Sequence, residues 1–173
     1  MFGRRRKPPA QLRPALERNE RVLTWARSAD DPSAVVVVTS LGLWLPGRPG
    51  RLGWHQIHKA TWSGSRLTVV PSRAVGSGAS YTVMADDAVV SVNLGDPGDV
   101  PATVRERVTK SVAYTAHYPL PTGGLRVVAR RVAGVNGVAW HVRYDDGTDA
   151  EDPDVQAFTE ELVAEAAAPM RPE

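Results

Sequence analysis

Two histidines, His55 and His58, stand three positions apart and could share one face of a helical turn. A metal ion needs at least a third ligand and usually more. No Asp or Glu lies close to them in the sequence. We therefore interpret the pair as surface or strand-end histidines and predict no metal site.

Six acidic residues crowd positions 145–154, a composition that could serve calcium. An EF-hand loop places acidic residues at positions one, three and five, before a glycine at six. With Gly147 as that glycine, position one would be Val142, so the pattern fails. We interpret the stretch as a solvated loop that leads into a helix. Asp152, before Pro153, is its expected N-cap.

Motifs that assemble an active site are absent from this sequence. It contains no G-x-S-x-G elbow, no Walker A sequence and no G-x-G-x-x-G. It has no cysteine, which excludes disulfides, zinc ribbons, iron–sulfur clusters and thiol catalysis. No spacing indicates that a serine, a histidine and an aspartate meet. We predict no catalytic residue, no cofactor and a protein that is not an enzyme.

Tryptophan and arginine cluster in the first third of the chain. Arg48 and Arg51 lie beside Trp44 and Trp54. Tryptophans commonly pack in cores, so a structural role is one interpretation. The other is an exposed aromatic surface for a protein or peptide partner, because Trp and Arg are enriched at binding hot spots. These four residues are the candidate partner-binding site.

Charge is distributed unevenly behind a net value of +2. Residues 1–28 carry eight basic and two acidic residues, whereas residues 145–173 carry one basic and ten acidic residues. The basic cluster comprises Arg4, Arg5, Arg6 and Lys7. It could contact an anionic membrane or RNA by counterion release, or it could be a solubilising tail. Both interpretations stay open.

Hydrophobic patterning predicts the elements that would position these residues. Runs of apolar residues, separated by turn residues, predict strands at 20–27, 34–39, 43–45, 51–54, 59–62, 66–70, 80–85 and 88–94, and the run at 34–39 is rich in β-branched residues. Valines 104, 108 and 112 recur every four residues and predict an amphipathic helix from Asp99 to about His117. Two strands around Asn136-Gly137 and a helix over Pro153–Ala168 follow.

Membrane and export signals are not apparent in the sequence. The longest uncharged run, Pro32 to Gly47, has 16 residues and contains polar residues, Gly and Pro, whereas a spanning helix needs about 20 apolar residues. No apolar segment follows the basic cluster, as a secretory signal would require. We therefore expect a soluble, cytoplasmic protein.

A resemblance to a known domain family rests on two stretches. Val36 to Trp44 resembles the apolar strand, Thr, turn and aromatic strand of bacterial pleckstrin-homology-like (PH-like) and GRAM domains. Arg51 to Ile57 resembles the step that follows, and residues 59–70 resemble its hairpin. The resemblance covers about residues 20–118. The whole chain also resembles uncharacterised actinobacterial proteins. This second resemblance rests on the motif Trp-x-x-x-Tyr-Asp-Asp-Gly at Trp140 to Gly147.

The resemblance implies a mainly β (α+β) fold. We expect a PH-like curved antiparallel sheet or partly open barrel, closed by one amphipathic helix, with a C-terminal β-hairpin and helix added. The corresponding division is a basic disordered tail at 1–18, a PH-like domain at 19–118 and an extension at 119–173.

PH-like domains bind anionic lipid headgroups, peptides or proteins. The loop that usually carries basic residues for lipid has Asp30 and Asp31 here, so a phosphate would meet like charge. We therefore predict a non-catalytic binding or adaptor module for a protein or peptide. The alternative is anionic-surface binding through the tail.

Overall fold

The structure is a computed structural model that describes residues 7–170. Its helices are α1 (Val100–Ser111) and α2 (Pro153–Ala167), and short 3-10 turns lie at Ala10–Leu12, Trp54–Gln56 and Ala168–Met170. In chain order, the strands are β1 (Val22–Arg27), β2 (Val35–Thr39), β3 (Gly42–Trp44), β4 (Leu52–Gly53), β5 (Ile57–Ser63), β6 (Arg66–Ser77), β7 (Thr82–Asp86), β8 (Val90–Asn93), β9 (Val112–Pro119), β10 (Gly124–Arg131) and β11 (Val138–Tyr144).

The described chain divides into two compact units. Unit 1 comprises residues 7–72, 86–111 and 132–135, and unit 2 comprises residues 73–85, 112–131 and 136–170. Each unit has its own cluster of buried apolar side chains. The division into 1–18, 19–118 and 119–173 stays a prediction.

Unit 1 contains two antiparallel groups of strands around one core. The first group has the order β1-β2-β3-β4, and in the second β6 pairs with both β5 and β8. Helix α1 contributes Val100 and Val104 to the same buried cluster as Leu43, Leu52 and Leu67. Burial of these side chains removes apolar surface from water and so supplies the main stabilisation of the unit.

The valine run of β2 forms the best-covered strand of unit 1. Val36, Val37 and Val38 are all fully buried, as a β-branched run without polar alternation predicts for a strand covered on both faces. The neighbouring β3 begins at a glycine for a steric reason. A Cβ atom on Gly42 would lie 2.3 Å from the carbonyl oxygen of Leu52 on β4. Only glycine therefore permits this close approach of the two strands.

Unit 2 is built on a sheet with one helix contributing to its core. Strand β10 pairs antiparallel with β9 and β11, and β11 pairs with β7. Leu162 and Val163 of α2 join Leu125 and Val127 of β10 in one cluster. The pairing of β11 with β7 is parallel. The sequence predicts an antiparallel sheet and gives no sign of this step.

The mainly β, α+β class, with a curled half-barrel sheet and a C-terminal helix, is confirmed and is consistent with a PH-like arrangement. The predicted end of the first helix at about His117 is wrong, because α1 ends at Ser111 and β9 begins at Val112. Beyond Ser111 the residues alternate between partly buried aromatics, Tyr114 and Tyr118, and exposed polar side chains. This period of two suits a strand, and β9 pairs with β10 along its length.

Within the described residues, neither helix has the length and apolar composition that a membrane span requires.

Candidate functional site

A groove of about 550 Å³ runs beside β1 in unit 1. One wall is formed by residues 23–29 of β1 and its end, and the other by Gly95, Asp96 and Asp99. The volume lies in the range of about 300–1,000 Å³ that ligand sites occupy. We call this feature the β1 groove.

The β1 groove exists because the chain after β8 pairs with the end of β1 at a single bridge and then leaves it. Ser28 and Leu94 form an isolated antiparallel bridge, and the amide of Ala29 donates to the carbonyl of Asn93 at 2.7 Å. Continued antiparallel pairing would place residues 95–99 opposite β1. Instead the chain turns away through Pro97 and Gly98, whose φ of 49° lies in the left-handed region that favours glycine, and enters α1.

β1 is the terminal strand of its sheet and pairs with β2 on one side. The amide of Ser28 donates to the carbonyl of Ala34 at 2.9 Å. This hydrogen bond shows which residues of β1 direct their backbone N–H and C=O groups towards β2. Backbone polar groups alternate in direction along an antiparallel strand. The N–H and C=O of Arg27 therefore point towards the β1 groove, whereas those of Ala26 point towards β2.

Acidic side chains line the far wall of the β1 groove. Asp96 and Asp99 are both exposed. Asp30, in the loop after β1, accepts a hydrogen bond from Asn93 Nδ2 at 2.8 Å. The guanidinium of Arg27 lies 5.8 Å from the ring centroid of Trp25 and donates to the carbonyl of Pro32. The wall thus favours positively charged groups.

Two of the four predicted partner-binding residues, Trp44 and Arg51, contact a buried carboxylate that the sequence analysis does not single out. Glu20 Oε1 accepts hydrogen bonds from Thr39 Oγ1 at 2.6 Å and from Trp44 Nε1 at 3.0 Å. Its Oε2 pairs with Arg51 Nη1 at 2.9 Å. Arg51 Nη2 also pairs with the exposed Glu17 at 2.9 Å. We call these five residues the Glu20 network.

The Glu20 carboxylate is held in its ionised form. Burial alone would raise its pKa, since the side chain has no exposed surface. The hydrogen bonds from Thr39, Trp44 and the backbone of Glu17, with the charge of Arg51, outweigh that effect and place the pKa below its ordinary value. The indole N–H of Trp44 and the guanidinium of Arg51 therefore form hydrogen bonds within unit 1.

The other two predicted partner-binding residues lie apart from this network. Trp54 is buried, with 3% of its surface exposed, and its Nε1 donates to the carbonyl of Thr39 at 3.2 Å. Arg48 is half-buried and forms a long ion pair with Asp87 at 3.8 Å. Partner binding through Trp44, Arg48, Arg51 and Trp54 stays a prediction.

The basic cluster lies mainly outside the described residues. Arg4, Arg5 and Arg6 precede them, and Lys7 is exposed. Binding of the cluster to an anionic membrane or RNA stays a prediction.

His55 and His58 lie in different elements and have different surroundings. His55 lies in the turn Trp54–Gln56, and His58 Nδ1 lies 2.7 Å from Asp86 Oδ1. Across residues 7–170, no group of three or more potential ligands could hold a metal ion. In the acidic stretch, Asp152 caps α2 by accepting from the amide of Asp154 at 2.8 Å, as predicted.

Unit 2 contains a polar pocket of about 460 Å³. It is lined by Tyr81, Tyr144 and Glu160 among other residues. Burial, together with the nearby Tyr144 and Glu160, raises the pKa of Tyr81 to about 12. A raised pKa makes the phenol a weaker acid, which is the opposite of what a general acid or base near neutral pH needs.

Sequence reasoning missed the β1 groove. The run Gly95-Asp96-Pro97-Gly98-Asp99 signals the end of the strand series. It does not show that the departing loop faces β1, about seventy residues earlier, because that depends on the register of Ser28 with Leu94.

Comparisons with protein-family models, with curated proteins and with solved structures found no match to this chain. Membership of a PH-like or actinobacterial family therefore stays a prediction from the residues quoted above.

Proposed function

We propose that this chain is a non-catalytic binding module that takes an extended peptide segment of a partner protein into the β1 groove. The peptide adds as a strand to β1, and its basic side chains face Asp96 and Asp99. The observation that carries this proposal is that β1 is a terminal strand with a groove beside it. The groove lies where residues 95–99 turn away from β1 after the bridge between Ser28 and Leu94.

Strand addition suits the dimensions of the site. The six residues of β1 span about 20 Å at about 3.3 Å per residue, which matches a peptide of five or six residues. Backbone hydrogen bonds supply affinity in this recognition mode, and alternate side chains supply specificity. The groove-facing polar groups of Arg27 provide one such backbone position.

Charge sets the class of peptide. The carboxylates of Asp96 and Asp99 are solvent-exposed, so each ion pair with a peptide is worth about 0.2–1 kcal/mol. Lys or Arg at alternate peptide positions would place positive charge on this wall. Acidic peptides and phosphate groups would be repelled there.

The test uses a fluorescent eight-residue probe that alternates valine and lysine, measured by anisotropy with the full-length chain. The account predicts saturable binding to one site. N-methylation of the probe residues whose amides face β1 should abolish binding, because it removes those donors. N-methylation of the intervening residues is the matched control and should leave binding intact. Equal effects of the two modifications would contradict strand addition.

A second arm tests the acidic wall. Replacing Asp96 and Asp99 together by Asn should weaken probe binding about fivefold to tenfold, since two exposed ion pairs are lost. The double variant Asp146→Asn with Glu161→Gln makes the same charge change at exposed positions outside the groove. An equal loss in this control would show non-specific attraction and would overturn the assignment.

A further inference from the structure

Unit 2 holds a pocket whose side chains play no part in the proposed function. It is the polar pocket of about 460 Å³ described above, and its volume lies in the range of about 300–1,000 Å³ that ligand sites occupy. We call it the Tyr81 pocket. It lies beside the turn between β6 and β7 and the first turns of α2, and all of its lining residues belong to unit 2. No Lys or Arg of the described residues lines it.

A carboxylate, Glu160 of α2, is held in place at the Tyr81 pocket. Its Oε1 accepts a hydrogen bond from the amide of Ala79, in the turn between β6 and β7, at 2.8 Å. The turn packs so closely that a Cβ atom on Gly78 would lie 2.6 Å from Oε1 and 2.3 Å from the Tyr81 ring. Among residues 7–170, no basic side chain pairs with Glu160, so its Oε2 is available to a ligand.

The hydroxyl groups near Glu160 are ordered so that the Tyr81 oxygen can accept a hydrogen bond. Thr159 Oγ1 donates to the carbonyl of Val155 at 2.7 Å, and because a hydroxyl has one proton, it accepts from the Tyr144 hydroxyl at 2.8 Å. The Tyr144 proton is therefore not available to the neighbouring Tyr81. Burial, together with the nearby Tyr144 and Glu160, raises the pKa of Tyr81 to about 12, so its phenol is neutral at pH 7. Its oxygen is thus an acceptor for a ligand.

Apolar side chains also line the Tyr81 pocket. Val75 of β6 and Val83 of β7 both contribute to its wall. Val75 is 49% exposed and is one of the large apolar side chains that the described chain leaves in water. An aliphatic part of a ligand would remove this surface from water, which is favourable.

We infer that the Tyr81 pocket binds a primary ammonium group at the end of an aliphatic chain. Such a group carries three N–H donors and one positive charge, which match the Glu160 carboxylate and the Tyr81 oxygen. Its aliphatic chain matches Val75 and Val83, as the stem of a lysine side chain covers apolar surface. A carboxylate or phosphate would be repelled by Glu160. The inference rests on residues of unit 2 and is independent of the proposed function of the β1 groove.

The experiment titrates pentylammonium chloride into the ¹⁵N-labelled full-length chain at pH 7 and follows the amide signals by NMR. We expect saturable shifts at Ala79 and its neighbours, because Glu160 accepts the hydrogen bond of the Ala79 amide. Pentanol, which has the same chain without the charge, should bind at least about tenfold more weakly. Tetramethylammonium, a cation without N–H donors, should bind at least about fivefold more weakly. Binding of either compound as tight as that of pentylammonium would overturn the inference.

Substitutions test the two acceptors. Glu160→Gln should weaken pentylammonium binding about fivefold to tenfold, since the charge is lost while an oxygen remains for the Ala79 amide. Tyr81→Phe keeps the ring and removes the oxygen, and should weaken binding about threefold. Thermal unfolding verifies that both variants are folded.

Glu161→Gln is the matched control for the charge. It makes the same change at the next position of α2, which is exposed and does not line the pocket, and should leave binding within about twofold. Equal weakening by Glu161→Gln, or no effect of Glu160→Gln, would contradict the site. The variant Asp96→Asn with Asp99→Asn should leave pentylammonium binding unchanged. A failure at the Tyr81 pocket would leave the proposed function standing, because its variants concern the β1 groove.

A further arm of the titration separates two sources of the ammonium group. N-acetyl-lysine N-methylamide presents a lysine side chain on a peptide-like backbone. Tighter binding of this compound than of pentylammonium would assign the pocket to a lysine side chain of a protein. Weaker binding would assign it to a free alkylamine. Both results support recognition of an ammonium group, and saturable binding of neither compound would overturn it.

Discussion

Glu20 is a buried carboxylate at the centre of a hydrogen-bond network in unit 1. Its carboxylate accepts hydrogen bonds from Thr39 and Trp44 and pairs with Arg51, while its side chain is fully buried. A buried ionised group is stable only when it is paired and hydrogen-bonded. The network joins the segment before β1 to β2, to β3 and to Arg51, which directly precedes β4, so it holds these segments together.

Replacing Glu20 by Gln should lower the free energy of unfolding by about 1.5–3 kcal/mol at pH 7, because hydrogen bonds to a charged group are lost. Urea unfolding measures this effect. The pKa of Glu20 is depressed in the folded chain, so its contribution is present above the ordinary pKa of 4.5 and is lost as the pH falls through the folded value. The difference between wild type and variant should therefore shrink below about pH 4.5.

Glu17→Gln is the matched control for this prediction. Glu17 pairs with the same guanidinium, but its side chain is 60% exposed. Its loss should cost about 0.2–1 kcal/mol. A Glu20→Gln variant that is no less stable than Glu17→Gln, or whose deficit is the same at pH 7 and pH 4, would contradict the role given to Glu20.

The sequence predicts Trp44 and Arg51, two hydrogen-bond donors of this network, as functional residues. It does not predict Glu20, the carboxylate that accepts their hydrogen bonds. The sequence points to Trp44 and Arg51 because Trp and Arg are common at interfaces. Glu20 lies 19 residues from Thr39 and 31 from Arg51, and no local pattern links them. Whether an indole faces a partner or a buried carboxylate is decided by tertiary pairing, which a single sequence does not display.

At the scale of elements, patterns of period two and turn residues predicted the strands well. The run of β2 and the Asn136-Gly137 hairpin were read correctly from β-branched residues and turn chemistry. The end of α1 was misjudged because Val112 continues the four-residue spacing of Val104 and Val108. The alternation that begins at Val112 competes with that spacing, and pairing with β10 decides in favour of a strand.

Gly42→Ala tests the close approach of β3 and β4. The new methyl group would lie 2.3 Å from the carbonyl oxygen of Leu52, so the backbone must move. We expect a loss of about 1–3 kcal/mol in the free energy of unfolding, measured in urea. Gly76→Ala is the control, since its Cβ would only reach ordinary contact, 3.7 Å from Val83 Cβ. Equal stability of the two variants would contradict the packing described.

At the scale of the whole molecule, neither compact unit is a continuous stretch of the sequence. Each unit draws on three separated ranges of the described chain. Pairing of β7 with β11 joins Thr82 to His141, far apart in sequence. Composition and turn signals locate elements, but they carry no information on such distant pairing. The β1 groove depends on the same kind of long-range register.

Charge is the property of the whole chain that the sequence revealed directly. A basic beginning and an acidic end are visible in composition alone, and the structure adds where the acidic side chains face. Binding at the β1 groove should weaken as salt rises, because Asp96 and Asp99 are exposed to solvent.

The most direct measurement of the central claim is backbone NMR of the ¹⁵N-labelled full-length chain, titrated with the alternating valine–lysine probe. The account predicts that amide signals of residues 23–27, Asp96 and Asp99 shift together. It also predicts that the amide of Arg27 exchanges with solvent at least tenfold more slowly in the complex, as a new strand pairs with β1. Shifts confined to other surfaces, with exchange at Arg27 unchanged, would contradict peptide recognition at this groove.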